Sequence, residues 1–217
     1  MLLVGWVMLA ALGCSSEKGS SSQGGTDEGA EAPVDATDGE PEPSELSSSK
    51  SKLKAKNGAV YARHLSQALG LERNEVCREL GLYDCSEDVH RIALGGVEPY
   101  QLSIRAPLPV APLTGPIALD RVALAACTRR AELDFAAAPG GAPGGIFSPV
   151  VKAPGDANAR RTVATSLIEA LLGRRVEPGE VDEIVSFYDE IEGLERDREW
   201  AAGACFALAT HVEALFY

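Results

Sequence analysis

Hydrophobic and polar positions divide the chain into three stretches. Residues 1–13 are apolar throughout, 15–47 hold almost nothing but Ser, Gly, Asp, Glu, Pro, Ala and Thr, and from about Val60 onward Leu, Val, Ile and Ala recur at helical spacing. In the third stretch, "AVYARHLSQALG" sets Val60, Tyr61, His64, Leu65, Ala68 and Leu69 on one face and stops at Gly70, which predicts a helix. "LERNEVCREL" predicts a shorter helix ending at Gly81. Ser86, followed by Glu87 and Asp88, predicts an N-cap and a brief helix toward Leu94, broken by Gly95 and Gly96. Pro99, Pro107, Pro109 and Pro112 forbid a helix over 97–115, so an extended surface strap is expected there, with one edge strand over 101–105.

Pro116 suits the first turn of a long helix reaching about Phe135, and "AAAPGGAPGGIFSP" reads as a connecting loop. "ARRTVATSLIEALLG" predicts the next helix, with Arg160 and Arg161 badly placed for its dipole unless it begins earlier. Pro178 opens another, in which Val181, Ile184, Val185, Tyr188 and Ile191 repeat at helical spacing. Asp197 is expected to cap a final helix carrying Trp200, Ala204, Cys205, Leu208, His211, Val212 and Leu215 on its inner side. The fold class expected is therefore mainly α. A helical domain over 58–217, with halves 58–135 and 155–217 joined by the Gly/Pro-rich loop, is about the size that supports one core.

Composition adds a tether. Residues 14–57 are too polar to bury surface enough to offset the entropy of ordering them, and such a segment is expected to be disordered with an r.m.s. reach of about 35–40 Å. Charge excludes one class of partner. With 32 acidic and 20 basic residues the net charge is −12, opposite to the basic surface that nonspecific nucleic-acid binding requires. Lys50, Lys52, Lys54 and Lys56 form the one basic cluster; solubilisation is the expected role, and contact with anionic lipid the alternative.

A helix of residues 1–13 would be about 20 Å long against a hydrocarbon core of about 30 Å, too short to span it. A short apolar run ending in small residues reads as a secretory signal. Ala11, Leu12, Gly13 and Cys14 resemble the lipobox of bacterial lipoproteins, with Ala11 where Leu is most usual and no basic residue before the run. The resemblance implies a signal peptide over 1–13, acylation of Cys14, and a cell-envelope location anchored to a membrane through lipid. Two or three acyl chains anchor stably where one binds only marginally. Ser15 after the cysteine resembles the pattern that permits export to the outer membrane.

Export makes the remaining cysteines candidates for pairing, because thiols outside the cytosol tend to oxidise. Cys77, Cys85, Cys127 and Cys205 allow three connectivities, of which Cys77 with Cys85 and Cys127 with Cys205 is favoured. The first pair flanks Gly81, which can reverse the chain, and the second would join helices distant in sequence. In the chain-entropy account the short loop contributes about 2.6 kcal/mol and the long one about 4.5 kcal/mol. A metal or haem at Cys77, Cys85 and His90 is not expected. The Cys-x-x-Cys-His motif is absent, and the cysteine spacing of eight is wider than zinc pairs use. No cofactor is expected.

A second resemblance covers about a quarter of the chain. "LIEALLGRRVEPGEVDEIVSFYDEI" and "FALATHVEALFY" resemble the C-terminal helical module of planctomycete-type, cytochrome-associated secreted proteins. Ala207, Leu208, Glu213, Leu215 and Phe216 match that module's last helix, while Phe206 and Thr210 stand at its Trp and Asn positions. It implies an architecture and no active site.

No Gly-x-Ser-x-Gly elbow, His-Glu-x-x-His helix or Walker loop occurs, and His64, His90 and His211 have no evident nucleophile or carboxylate beside them in sequence. The acidic run "YDEIEGLERDRE" reads as the solvated end of a helix. No catalytic residue is expected. The functional expectation is a lipid-anchored envelope protein acting as a non-catalytic interaction module for an envelope protein partner, through the strap or an exposed helical face. Its rival is an envelope enzyme or ligand carrier accessory to a redox protein.

Overall fold

Asn57 starts the helical part of the molecule: its side-chain oxygen accepts from Val60 N at 3.0 Å, and α1 runs Gly58–Leu69 until Gly70, at φ 61°, turns the chain away. The computed structural model describes residues 54–100, 102–108, 112–136 and 144–216. The signal run 1–13, Cys14 and the tether as far as residue 53 lie outside the described residues, as do Gln101 and residues 137–143 of the connector.

The second expected helix is not formed. After a 3-10 turn at Arg73–Glu75, the chain makes a small hairpin, β1 (Arg78–Glu79) with β2 (Tyr83–Asp84), in the register Arg78↔Asp84 and Glu79↔Tyr83. Leu80 and Gly81 both take positive φ, 53° and 71°, which no helix accommodates, and Leu82 N donates to Glu79 O across the turn. The Cys77–Cys85 disulfide closes the base of the hairpin, with the two Cα atoms 5.5 Å apart. Asp84, rather than Ser86, caps the next element. Its Oδ1 accepts from Ser86 N and Glu87 N at 2.8 Å each, opening a single π-helical turn at Cys85–Val89 that ends well short of Leu94.

In the strap, the edge strand expected over 101–105 reduces, in the described part, to one isolated bridge, Glu98↔Ile104. The long helix is present as α2 (Thr114–Ala136), with Pro116 in its first turn. The Gly/Pro-rich segment beyond it holds an unexpected short helix, α3 (Ser148–Lys152), because Phe147 and Val150 are fully buried. Asp134 on α2 fixes that segment: its Oδ2 accepts from Phe147 N at 3.0 Å, and Oδ1 is paired with Arg130. A Cβ at position 145 would come within 1.9 Å of Asp134 Oδ1, so glycine is required there.

Asp156 caps α4 (Ala157–Leu172), which begins earlier than the "ARR" stretch. Arg160 is nonetheless buried, and it and Arg196 lie over the Tyr188 ring at 3.6 and 4.2 Å from its centroid. Next, α5 (Glu180–Ser186) starts after Gly179, two residues beyond Pro178, and continues as a 3-10 turn, Phe187–Glu190. The final helix divides. α6 (Arg196–Ala209) begins before Asp197, which accepts from Gly155 N at 3.0 Å instead of capping. Thr210 ends α6, and His211 restarts the chain as the N-cap of α7 (Val212–Leu215), its Nδ1 accepting from Glu213 N. His211 and Val212 are consequently exposed and not on the inner face.

Helices α2 and α6 form the most extensive pair. Small side chains, Ala123 and Ala126 on α2 and Ala201 and Ala204 on α6, are buried in the core, and Cys127 and Cys205 bond the two helices with Cα atoms 5.7 Å apart. Around this seam α4 adds Val163, Leu167, Ile168 and Leu171, and α1 adds Tyr61, Leu65 and Leu69. Polar atoms drawn into the core are bonded. Tyr61 Oη donates to Ala209 O at 2.9 Å, and Trp200 Nε1 donates to Ile184 O at 2.9 Å. The described chain begins beside its end: Ala55 bridges Phe216, and Lys56 N donates to Leu215 O at 2.8 Å.

Candidate functional site

Each paired cysteine anchors a scaffold element. Cys127–Cys205 binds the two principal helices of the core, whereas Cys77–Cys85 holds the hairpin that forms one wall of a cleft. The pairing is the one that spacing favoured, and two buried disulfides suit an oxidising compartment outside the cytosol. Among the described residues no helix is long and apolar enough to cross a membrane.

The cleft has a volume of about 1110 Å³ and is open to solvent. Tyr83 of β2, the segment from Asp88 to Ala93, the strap residues Glu98, Leu102 and Leu108, and the first turns of α2 enclose it. Beside it, Glu79 takes Arg121 on both carboxylate oxygens, Nε at 2.6 Å and Nη2 at 2.9 Å. His90 Nε2 lies 3.3 Å from Glu79 Oε1 yet makes no hydrogen bond to it. Arg91 Nη1 meets Glu98 Oε2 at 2.8 Å. The charges are therefore largely paired with each other. Arg121 donates to Glu79 Oε2 through Nη2 and brings Nε within ion-pair distance of Oε1, the oxygen that faces His90.

None of the three histidines is bonded to a nucleophile among the described residues. His64 Nε2 is 2.9 Å from Leu171 O, and burial lowers its pKa below the ordinary histidine value against the opposing effect of that carbonyl. His211 caps α7, and His90 faces Glu79. Among the described residues no group of three or more His, Cys, Asp or Glu side chains is arranged to hold a metal ion. Cys14 lies outside the described residues.

The segments around the cleft carry exposed apolar side chains. Leu80 in the hairpin is 88% exposed, Tyr100 in the strap 92% and Leu113 before α2 95%, and Leu82, Tyr83, Leu102 and Ile117 on the same segments are exposed too. Tyr83, Val89, Leu102, Leu108 and Ile117 all line the one cleft, which shows that hairpin, strap and α2 present a common face. The other large exposed apolar side chains of the described chain are Leu124, Phe187, Leu194 and Val212. Only two described non-glycine residues take positive φ, Leu80 in the hairpin turn and Ser103 in the strap. Left-handed backbone costs about 1–2 kcal/mol at a residue with a Cβ, and at Leu80 the hairpin turn imposes it.

The sequence does not announce this face. Glu79 and Leu80 fall in an expected helix, and the available signal is the Leu-Gly-Leu turn set midway between two cysteines of a chain read as secreted. Glu79 and Arg121 are 42 residues apart, so their pairing beside His90 has no local signature. Compared with known proteins, the chain matches no family model, no curated protein and no solved structure.

Proposed function

We propose that this protein is a lipid-anchored component of the bacterial cell envelope that holds a partner protein through the apolar face built by the hairpin, the strap and the start of α2. The observation that carries the reading is the number of exposed large apolar side chains on the hairpin, the π-helical turn after it, the strap and the start of α2, five of them lining one cleft. The lipobox-like stretch ending at Cys14 supports the anchor, and a tether of some forty residues would let the domain work about 35–40 Å from the membrane. The two disulfides agree with an exported chain.

The charges beside the cleft favour binding over catalysis, since Arg121 engages both oxygens of the carboxylate nearest His90. Cross-linking in intact cells, detergent extraction and affinity capture test both parts of the proposal. The mass of the N-terminal peptide is expected to show acyl chains on Cys14. One envelope protein is expected at near-equal amount, and to disappear when residues 58–217 are deleted. An unmodified Cys14 would remove the anchor from the account, and a protein that emerges alone would remove the partner.

A further inference from the structure

A second cavity of about 680 Å³, within the size range of small-molecule sites, adjoins the cleft and shares Ile92, Ala93, Leu108 and Pro112 with it. Its walls come from five separate parts of the chain: Lys56 before α1, Leu94 after the π-helical turn, Leu108 on the strap, Leu119 on α2, and Leu215 with Phe216 at the end of the described chain. Phe216 is the one aromatic residue among them, so the cavity offers no platform on which a planar ring would be stacked from both sides. An aliphatic occupant suits it better.

One cation lines this cavity. Lys56 is half-buried, and burial lowers its pKa. Its Nζ donates to Ala214 O at 2.7 Å, its one hydrogen bond among the described residues, although an ammonium carries three N–H donors. The carboxylate on the lining, Asp120, is solvent-exposed and acts on the Tyr61 hydroxyl, whose pKa it helps to raise. No ion pair joins Asp120 to Lys56 among the described residues, and the spare N–H groups of Lys56 remain for an acceptor on a ligand.

We infer that this cavity binds a long-chain aliphatic monocarboxylate, with its chain against Leu119 and Phe216 and its carboxylate on Lys56 Nζ. The test uses the full chain carrying Cys14→Ser, which removes the thiol that would be acylated. Fluorescence of dansyl-undecanoate is followed as protein is added, and the probe is then displaced by dodecanoate or by dodecanol, which share a chain and differ in charge. Saturable one-to-one binding is expected. Lys56→Met should weaken dodecanoate about tenfold or more, the value of one charge-assisted hydrogen bond, and leave dodecanol unchanged. Leu119→Trp should remove both ligands by filling the cavity, with an unchanged circular-dichroism melt confirming that it folds. The inference is overturned by non-saturable binding, by equal loss of both ligands in Lys56→Met, or by Leu119→Trp binding as before.

Discussion

Leu80 shows at the scale of one residue how stability and exposure are opposed here. An exposed leucine at φ 53° is strained, and glycine would relieve it. Leu80→Gly is expected to raise stability by about 0.5–1 kcal/mol, the strain relieved less the entropy that glycine adds to the unfolded chain. Urea unfolding would read the gain, and capture of the partner would fall in the same variant. His64 gives a pH signature. Its folded pKa lies below its unfolded value near 6.5, so the unfolded chain takes up the proton first and stability falls as the pH drops below about 6.5. The loss is complete once the pH passes below the folded pKa. Glu75 and Glu180, held low by a backbone N–H and by Arg174 respectively, add acid sensitivity in a lower window, beginning below the ordinary carboxylate value of 4.5. Unfolding of His64→Gln across pH 5–8 should lack the upper slope, whereas a slope equal to that of the natural chain would assign it elsewhere.

At the scale of elements, the helices are legible in the sequence and their joins are not. Tyr61, Leu65 and Leu69 mark α1 because a 3.6-residue period is a local property, and the alanines and cysteine of α6 mark a buried helix for the same reason. The hairpin is hidden because its cause is a pair of left-handed residues, one of them a leucine that propensity would place in a helix. The division of α6 from α7 is hidden because His211, which fits the apolar spacing, serves as a cap. α3 escapes notice because Asp134, a single acid within α2, reaches across to Phe147 N. Asp134→Ala would leave Arg130 mostly buried without its carboxylate and is expected to cost about 3 kcal/mol or more, measured by thermal or urea unfolding. The two disulfides should differ as their loops do. Replacing Cys127 and Cys205 by serine is expected to cost about 4.5 kcal/mol, against about 2.6 kcal/mol for Cys77 and Cys85, and the second pair of changes should reduce partner capture more than its stability cost explains.

For the whole molecule, the disulfide-bonded core and the apolar face answer to different demands. The core explains why α2, α4 and α6 assemble, and its seam of small residues around Cys127 and Cys205 is complete without the strap. The face adds no comparable burial and stands on a hairpin closed by its own disulfide. Nothing in the sequence gathers it, because the exposed side chains come from segments far apart in the chain and each one alone is ordinary for a surface. The most direct test compares cross-linked capture by the natural chain and by a chain carrying Tyr83→Asp, Leu102→Asp and Ile117→Asp, three exposed residues that line the cleft, with equal melting temperatures required of both. The account predicts that the envelope partner is retained by the first and lost from the second; equal recovery of the partner by both chains would contradict it.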